Sequence, residues 1–318
     1  MSYSIHVCPG LASKTSNVAC RKGTFGDCRV LAWLATLFFL AHIGTASAQI
    51  YTLSSGNSSA VIDTAGQAGM DNWSVDGQNQ LNQQWFWYRV GSSGPEASIN
   101  ALGTPAAITY GAGILDTTYT APQFTLAVNY ALTGGALGSG ATDLAETIVI
   151  QNLSGSTLPF CFFQYADFNL GGTPNNDSGN LNRTSNGFNQ VNQTDGFCSI
   201  GENVDAVVSH PATYGEVAND NSILNSLNNG TPTTLNDNMS TSGNVKWALE
   251  WVTNIAPGGT YIISKDLNIC GVVSVPEPST WSLISLGLVA VGMWKFRSGA
   301  QAAQAGSKQP RGVNFPSR

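Results

Sequence analysis

The stretch "FTLAVNYAL", residues 124–132, decides how the rest of the chain is read. Phe124, Leu126, Val128, Tyr130 and Leu132 fall on one side of an extended backbone, with Thr125, Ala127 and Asn129 on the other. Side chains on a strand alternate sides, so this two-residue period predicts a half-buried antiparallel strand, apolar toward a core and polar toward water. "VKWALEWVTNI", residues 245–255, repeats the pattern, setting Val245, Trp247, Leu249, Trp251 and Ile255 against Lys246, Glu250 and Asn254. "FCFFQYADF", residues 160–168, is apolar on both faces and predicts a central strand.

Further strands are expected at Gln84–Val90, Glu146–Asn152, Val204–Ser209 and Tyr261–Asn268. Between them lie "TGGALGSG", "GGTPNNDSGN" and "APGGT", where Gly supplies positive φ and Asn or Asp bonds its own backbone. Only "NSILNSLNN", residues 221–229, hints at a helix. The expected fold class is all-β: an antiparallel β-sandwich or jelly-roll-like body forming one domain over residues 49–271.

Charge is scarce and segregated. Charged residues make up 10% of the 318, well below the usual quarter, while hydrophobic content is an ordinary 42%. The missing charge is replaced by Asn, Gln, Ser, Thr and Gly. The body carries four cations, Arg89, Arg183, Lys246 and Lys265, against 17 acidic residues. That balance argues against nucleic acid as a partner, because too few cations are present to displace phosphate counterions. Both ends, by contrast, are basic.

The N-terminal end reads as an export signal. "LAWLATLFFLAHI", residues 31–43, is an apolar run of signal-peptide length behind a basic leader, and Ala46-Ser47-Ala48 offers signal peptidase its small residues. Cleavage is expected after Ala48, leaving Gln49 as the first mature residue and residues 1–48 as a signal peptide with a helical core. At the other end, residues 281–294 form an apolar run of about 21 Å as a helix, a marginal length for spanning a bilayer. Pro276 and Pro278 keep the segment before it extended, and Lys295 and Arg297 form a basic stop on its far side. Residues 298–318 are a polar, basic tail.

This C-terminal arrangement resembles the PEP-CTERM sorting signal of exported bacterial proteins. Pro276, Glu277, Pro278 and Ser279 carry the match, followed by the apolar run and Lys295-Phe296-Arg297, so that residues 272–297 form the signal. The resemblance implies recognition and processing by exosortase, an integral-membrane transpeptidase-like enzyme. It implies a course from export, through an inner-membrane-tethered intermediate held by the C-terminal helix, to the cell surface or extracellular matrix. "QWFWYRVG", "NLSGSTLPFCFFQYADFNLGGT" and "IAPGGTYIISKD" also resemble a recurrent β-rich body among such sorted proteins. That family is associated with exopolysaccharide-producing bacteria, which makes exopolysaccharide a partner by association only.

Chemistry-bearing motifs are sparse. The mature body has one histidine, His210, and no nucleophile elbow, phosphate-cradling loop or zinc-protease motif. Asp167, Asn169 and Asp177 in "DFNLGGTPNND" offer oxygen ligands to calcium, but the closing Glu of an EF-hand loop is replaced by Ser178. Glu96, Glu146, Glu202 and Glu250 could supply a hydrolase carboxylate pair, and Trp85, Phe86, Trp87 and Tyr88 an aromatic platform for a sugar ring. Of the body's cysteines, Cys161 and Cys198 are the expected disulfide, with Cys270 left over. The expected function is a non-enzymatic, exported structural component with no cofactor. The rivals are an exopolysaccharide-binding module and a secreted hydrolase.

Overall fold

The computed structural model describes residues 49–271, except Phe197 and residues 205–209, with backbone alone at 202–204. The expected signal peptide before Gln49, the sorting motif, the apolar run 281–294 and the basic tail lie outside the described residues.

Two large sheets account for the domain. The first is built from β1 (Ile50–Ser55), β2 (Ser58–Asp63), β3 (Gly69–Val75), β5 (Leu81–Val90), β11 (Leu158–Phe168), β17 (Lys246–Ile255) and β15 (Tyr214–Ala218), in that order. Two-residue strands β4 (Gln78–Asn79) and β6 (Ala97–Ser98) attach to β3 and β5. The second sheet runs β16 (Ser240–Gly243), β12 (Asp177–Thr184), β13 (Gly187–Thr194), β14 (Ser199–Val204), β18 (Thr260–Cys270), β10 (Thr142–Asn152), β9 (Phe124–Gly134), β8 (Ile114–Thr120) and β7 (Ala107–Gly111). Pairing is antiparallel except for a short parallel contact of β3 with β5. This is the all-β sandwich that the alternating sequence predicts.

The inner faces meet through aromatic side chains. Phe124 of the second sheet stands edge-on to Phe160 (centroids 5.0 Å apart) and to Tyr88 (5.3 Å) of the first. Phe86 stacks on Phe162, and Phe168 on Trp247. In β9 the inward set Phe124, Leu126, Val128, Tyr130 and Leu132 is buried, and its alternate residues are partly exposed, as read from the sequence. The predicted central strand is β11, held between β5 and β17. Strands at Gln84–Val90, Glu146–Asn152 and Tyr261–Asn268 lie within β5, β10 and β18. Of the strand expected at Val204–Ser209 only Val204 is described, as the last residue of β14, and residues 205–209 lie outside the described residues.

The polar-outward half of the β17 reading needs correction. Lys246 and Glu250 were expected in water, yet they are 3% and 0% exposed. The outer face of the first sheet is covered by a second layer. The single-turn helix at Ile99–Leu102, the helix α1 (Ser222–Asn228) and the segment 229–238 lie over β5, β11 and β17. Trp85 donates to Asn100 (3.3 Å) and Trp87 to Asn228 (3.3 Å), while Glu250 accepts from the Leu235 amide (2.9 Å). Helix α1, at the place hinted by "NSILNSLNN", buries Ile223 and Leu227, one turn apart.

At Gly69 the chain turns into β3 with φ +62°, and a Cβ there would collide with the Trp85 ring and the Gln84 carbonyl. Both the left-handed backbone and the close approach require glycine. Gly69→Ala is expected to cost about 3 kcal/mol, read as a lowered urea midpoint with an unchanged slope.

Candidate functional site

The densest ionisable cluster on the outer face of the first sheet is assembled by register. Arg89 of β5 lies opposite Cys161 of β11, which lies opposite Val252 of β17, and Glu250 stands two residues along β17 on the same face. Glu96 comes from the segment leaving β5. The segment 229–238 closes over them.

Arg89 is 7% exposed, and each of its terminal nitrogens is engaged. Nη1 pairs with Glu96 and donates to the Thr233 carbonyl (2.8 Å), and Nη2 approaches the Cys161 sulfur (3.2 Å). Glu96 also accepts from the Thr233 amide (2.9 Å). Glu250 is fully buried, and burial pushes its carboxyl up to about 7, opposed by the Leu235 amide and Arg89 and reinforced by Glu96 and Asp237. Burial likewise raises the Cys161 thiol, with Arg89 pulling the other way. A cavity of about 320 Å³ adjoins the cluster, its walls including Arg89, Pro159, Cys161, Tyr214, Glu250 and Asn254. Glu250 is thus a carboxyl able to hold or release a proton near neutrality beside a small cavity.

The three candidate carboxylates whose side chains are described, those of Glu96, Glu146 and Glu250, do not converge on the cavity. Glu96 is locked to Arg89 and the Thr233 amide and does not line the cavity, and Glu146 lies between the two sheets. The side chain of Glu202 lies outside the described residues. Glu96 and Glu250 flank one guanidinium rather than facing each other across the cavity.

The aromatic platform is also sealed. Trp85, Phe86 and Trp87 are at most 1% exposed, and Tyr88 packs inward against Phe124 and Phe160. The imidazole of His210 stacks on Tyr261 (4.9 Å, 12°), and its carbonyl accepts from Trp251 Nε1 (2.9 Å). Of the calcium candidates, Asp167 pairs with Lys246 (3.7 Å) and accepts from Asn82 (3.0 Å), and Asp177 accepts from Gln193 (2.5 Å). Among the described residues no group of three His, Cys, Asp or Glu is placed to hold a metal ion.

The expected Cys161–Cys198 disulfide does not form, and both thiols are free. Cys161 sits beside Arg89, whereas Cys198 sits against Gln80 (3.8 Å), at the other end of β5. Nine residues of strand separate those two partners, on the order of 30 Å. Cys270 is exposed, its sulfur 2.9 Å from the Ser199 hydroxyl.

Reasoning from sequence missed the Arg89–Glu96–Glu250 cluster. The available signal was an alternation that places Arg89 in register with Trp85 and Trp87, and Glu250 on a strand of tryptophans.

Glu250 yields a pH prediction. Its folded pKa lies above the ordinary carboxylate value, so its ionisation opposes folding: stability is fullest below the unfolded pKa and declines as pH rises through about 7. The loss between about pH 5 and pH 8 is on the order of 3 kcal/mol. Glu250→Gln should flatten that part of the stability–pH curve relative to wild type, measured by urea unfolding across the range.

No curated protein sequence matches the chain. Several solved structures share parts of the architecture at low similarity. A bacterial glucoamylase complexed with acarbose is 10% identical with a TM-score of 0.49, over 76% of this chain but only 36% of that one. A putative aldose 1-epimerase from Escherichia coli K12 is 12% identical with a TM-score of 0.48, over 70% of this chain and 99% of that one. A galactose mutarotase-like protein from Lactobacillus casei is 10% identical with a TM-score of 0.44, over 69% and 99%. The informative match is at the C-terminus. Residues 274–298 match the PEP-CTERM protein-sorting motif, which marks an exported exosortase substrate with a membrane-anchored intermediate.

Proposed function

We propose that this is a non-enzymatic structural protein of the cell surface or extracellular matrix, delivered there by exosortase processing of its C-terminal tail. The observation that carries the reading is the sorting motif, which begins at residue 274, directly after the last strand of a folded sandwich. Such a layout presents a finished domain on one side of the membrane and a cleavable tail at it. Pro276-Glu277-Pro278 is the peptide the enzyme reads, and the apolar run 281–294 with Lys295 and Arg297 holds the substrate in the membrane until then.

The body supports a passive role in a hydrated matrix. Its largest aromatics are inside, its four cations are all in ion pairs, and its loops are rich in Asn, Ser, Thr and Gly. Such a surface offers hydroxyl and amide hydrogen bonds, the interactions that a polysaccharide gel also offers. Exopolysaccharide is therefore the partner this reading names.

Intact-mass analysis of the protein from its native host tests the proposal, alongside a variant carrying Pro276→Ala, Glu277→Ala and Pro278→Ala. Wild type should lack residues beyond the motif and be recovered from the cell surface or matrix, while the variant keeps its tail in the inner membrane. Retention of the full tail by both would make the C-terminal segment a plain anchor and overturn the reading.

A further inference from the structure

The interior of the sandwich holds a polar island among aromatic rings. Glu146 of β10 and Lys265 of β18 are register partners in the second sheet, and both project inward. Their side chains form an ion pair and are both 0% exposed. From the facing sheet, Gln84 of β5 places its amide nitrogen 2.7 Å from Glu146 Oε1 and 3.0 Å from Oε2. One carboxylate oxygen, Oε2, therefore receives both the lysine and the glutamine nitrogen.

The surroundings favour reaction over simple pairing. The Lys265 nitrogen lies 5.4 Å from the centre of the Phe86 ring, which itself stacks on Phe162. Burial lowers the amine's pKa, which eases the transfer of a proton to Glu146 that must accompany attack by the nitrogen. Gln84 Oε1 makes no hydrogen bond, so the carboxamide is fixed through its nitrogen alone. Its nitrogen and the Lys265 nitrogen share one carboxylate oxygen, which sets the carboxamide beside the amine. A buried ion pair is also a costly way to fill a core, since hydrophobic residues of similar volume commonly do as well.

We propose that Gln84 and Lys265 join in an intramolecular isopeptide bond, with Glu146 as the proton carrier. Lys265 Nζ attacks Gln84 Cδ, and the carbonyl electron pair moves onto Oε1. Glu146 takes a proton from Nζ and delivers one to Nε2. The Cδ–Nε2 bond then breaks, the carbonyl re-forms and ammonia leaves. An amine and a primary amide become a secondary amide and ammonia, so no oxidant, reductant or co-reactant is required. Holding the three groups together in a dry site supplies the proximity that such an uncatalysed exchange lacks in water. The product ties β5 in one sheet to β18 in the other.

A tryptic mass map of the mature protein from its native host tests this directly. The expected result is a single cross-linked species joining the peptide that contains Gln84 to the one that contains Lys265. It should be lighter than their sum by one ammonia, with no cleavage after Lys265. Gln84→Leu leaves the Glu146–Lys265 pair in place and should give a folded protein by circular dichroism, with normal cleavage after Lys265 and no cross-link. Two unlinked wild-type peptides would overturn the proposal and leave the island as an ion pair only. A link to Glu146, lighter by one water, or a link to Gln164 would overturn the assignment of Gln84 as acceptor.

Discussion

Strand β11 has no wet face, and most of the molecule's polar architecture follows from that. Every residue of β11 except Pro159 is buried, with the second sheet on one side and the layer formed by Ile99–Leu102, α1 and residues 229–238 on the other. Its hydrogen-bonded neighbours β5 and β17 are largely buried as well. A charge that register places on these strands cannot reach water, and an unpaired charge there would cost several kcal/mol. Arg89 therefore meets Glu96, and Lys246 meets Asp167. Across the inner face Lys265 meets Glu146. Three of the body's four cations are spent inside, and Arg183, paired with Asp237, is half exposed.

This economy lets a chain of low charge content keep its buried cations paired. The outer surface needs little charge to stay hydrated, because Asn, Ser, Thr and Gly fill the turns. Asp76 shows how those turns are fastened without cations. Its carboxylate accepts from the Gly138 amide (2.6 Å), the Gly140 amide (2.8 Å) and Asn57 (3.0 Å), binding the β9–β10 loop to the β3–β4 turn. Burial pushes that carboxyl up, but the three hydrogen bonds outweigh it and leave the pKa below the ordinary value. Backbone amides do here what lysines and arginines do in more highly charged proteins.

The sequence made the sandwich legible where a strand alternated cleanly or was apolar on both faces. Alternation in "FTLAVNYAL" and the doubly apolar "FCFFQYADF" gave β9 and β11 their places, because two-residue periodicity is set by the backbone itself. It failed where a face carrying charged residues was nonetheless covered. In "VKWALEWVTNI" the same alternation implied a wet face that residues 229–238 cover, and nothing local in the sequence announces a covering segment. The disulfide reading failed for a related reason. Strand neighbours fix which cysteines can meet, and Cys161 and Cys198 lie toward opposite ends of β5. The polar island left a trace that periodicity could have caught: Lys265 stands in the inward series with Ile263, Leu267 and Ile269, and Glu146 in the series with Leu144, Ile148 and Ile150.

The sorting motif gives the position of β18 a mechanical meaning. A protein tethered through its C-terminus feels any load on the tether first at the last strand of its domain. Here that strand is not an edge. β18 is hydrogen-bonded to β10 on one side and β14 on the other, and the motif begins three residues after Gly271. Drawing β18 out of the sheet therefore requires breaking hydrogen-bond ladders on both of its sides. Lys265, midway along β18, adds an inward anchor to Glu146 and, through it, to Gln84 of the facing sheet. The fully buried Glu146–Lys265 pair therefore fastens to the core the strand that precedes the sorting motif.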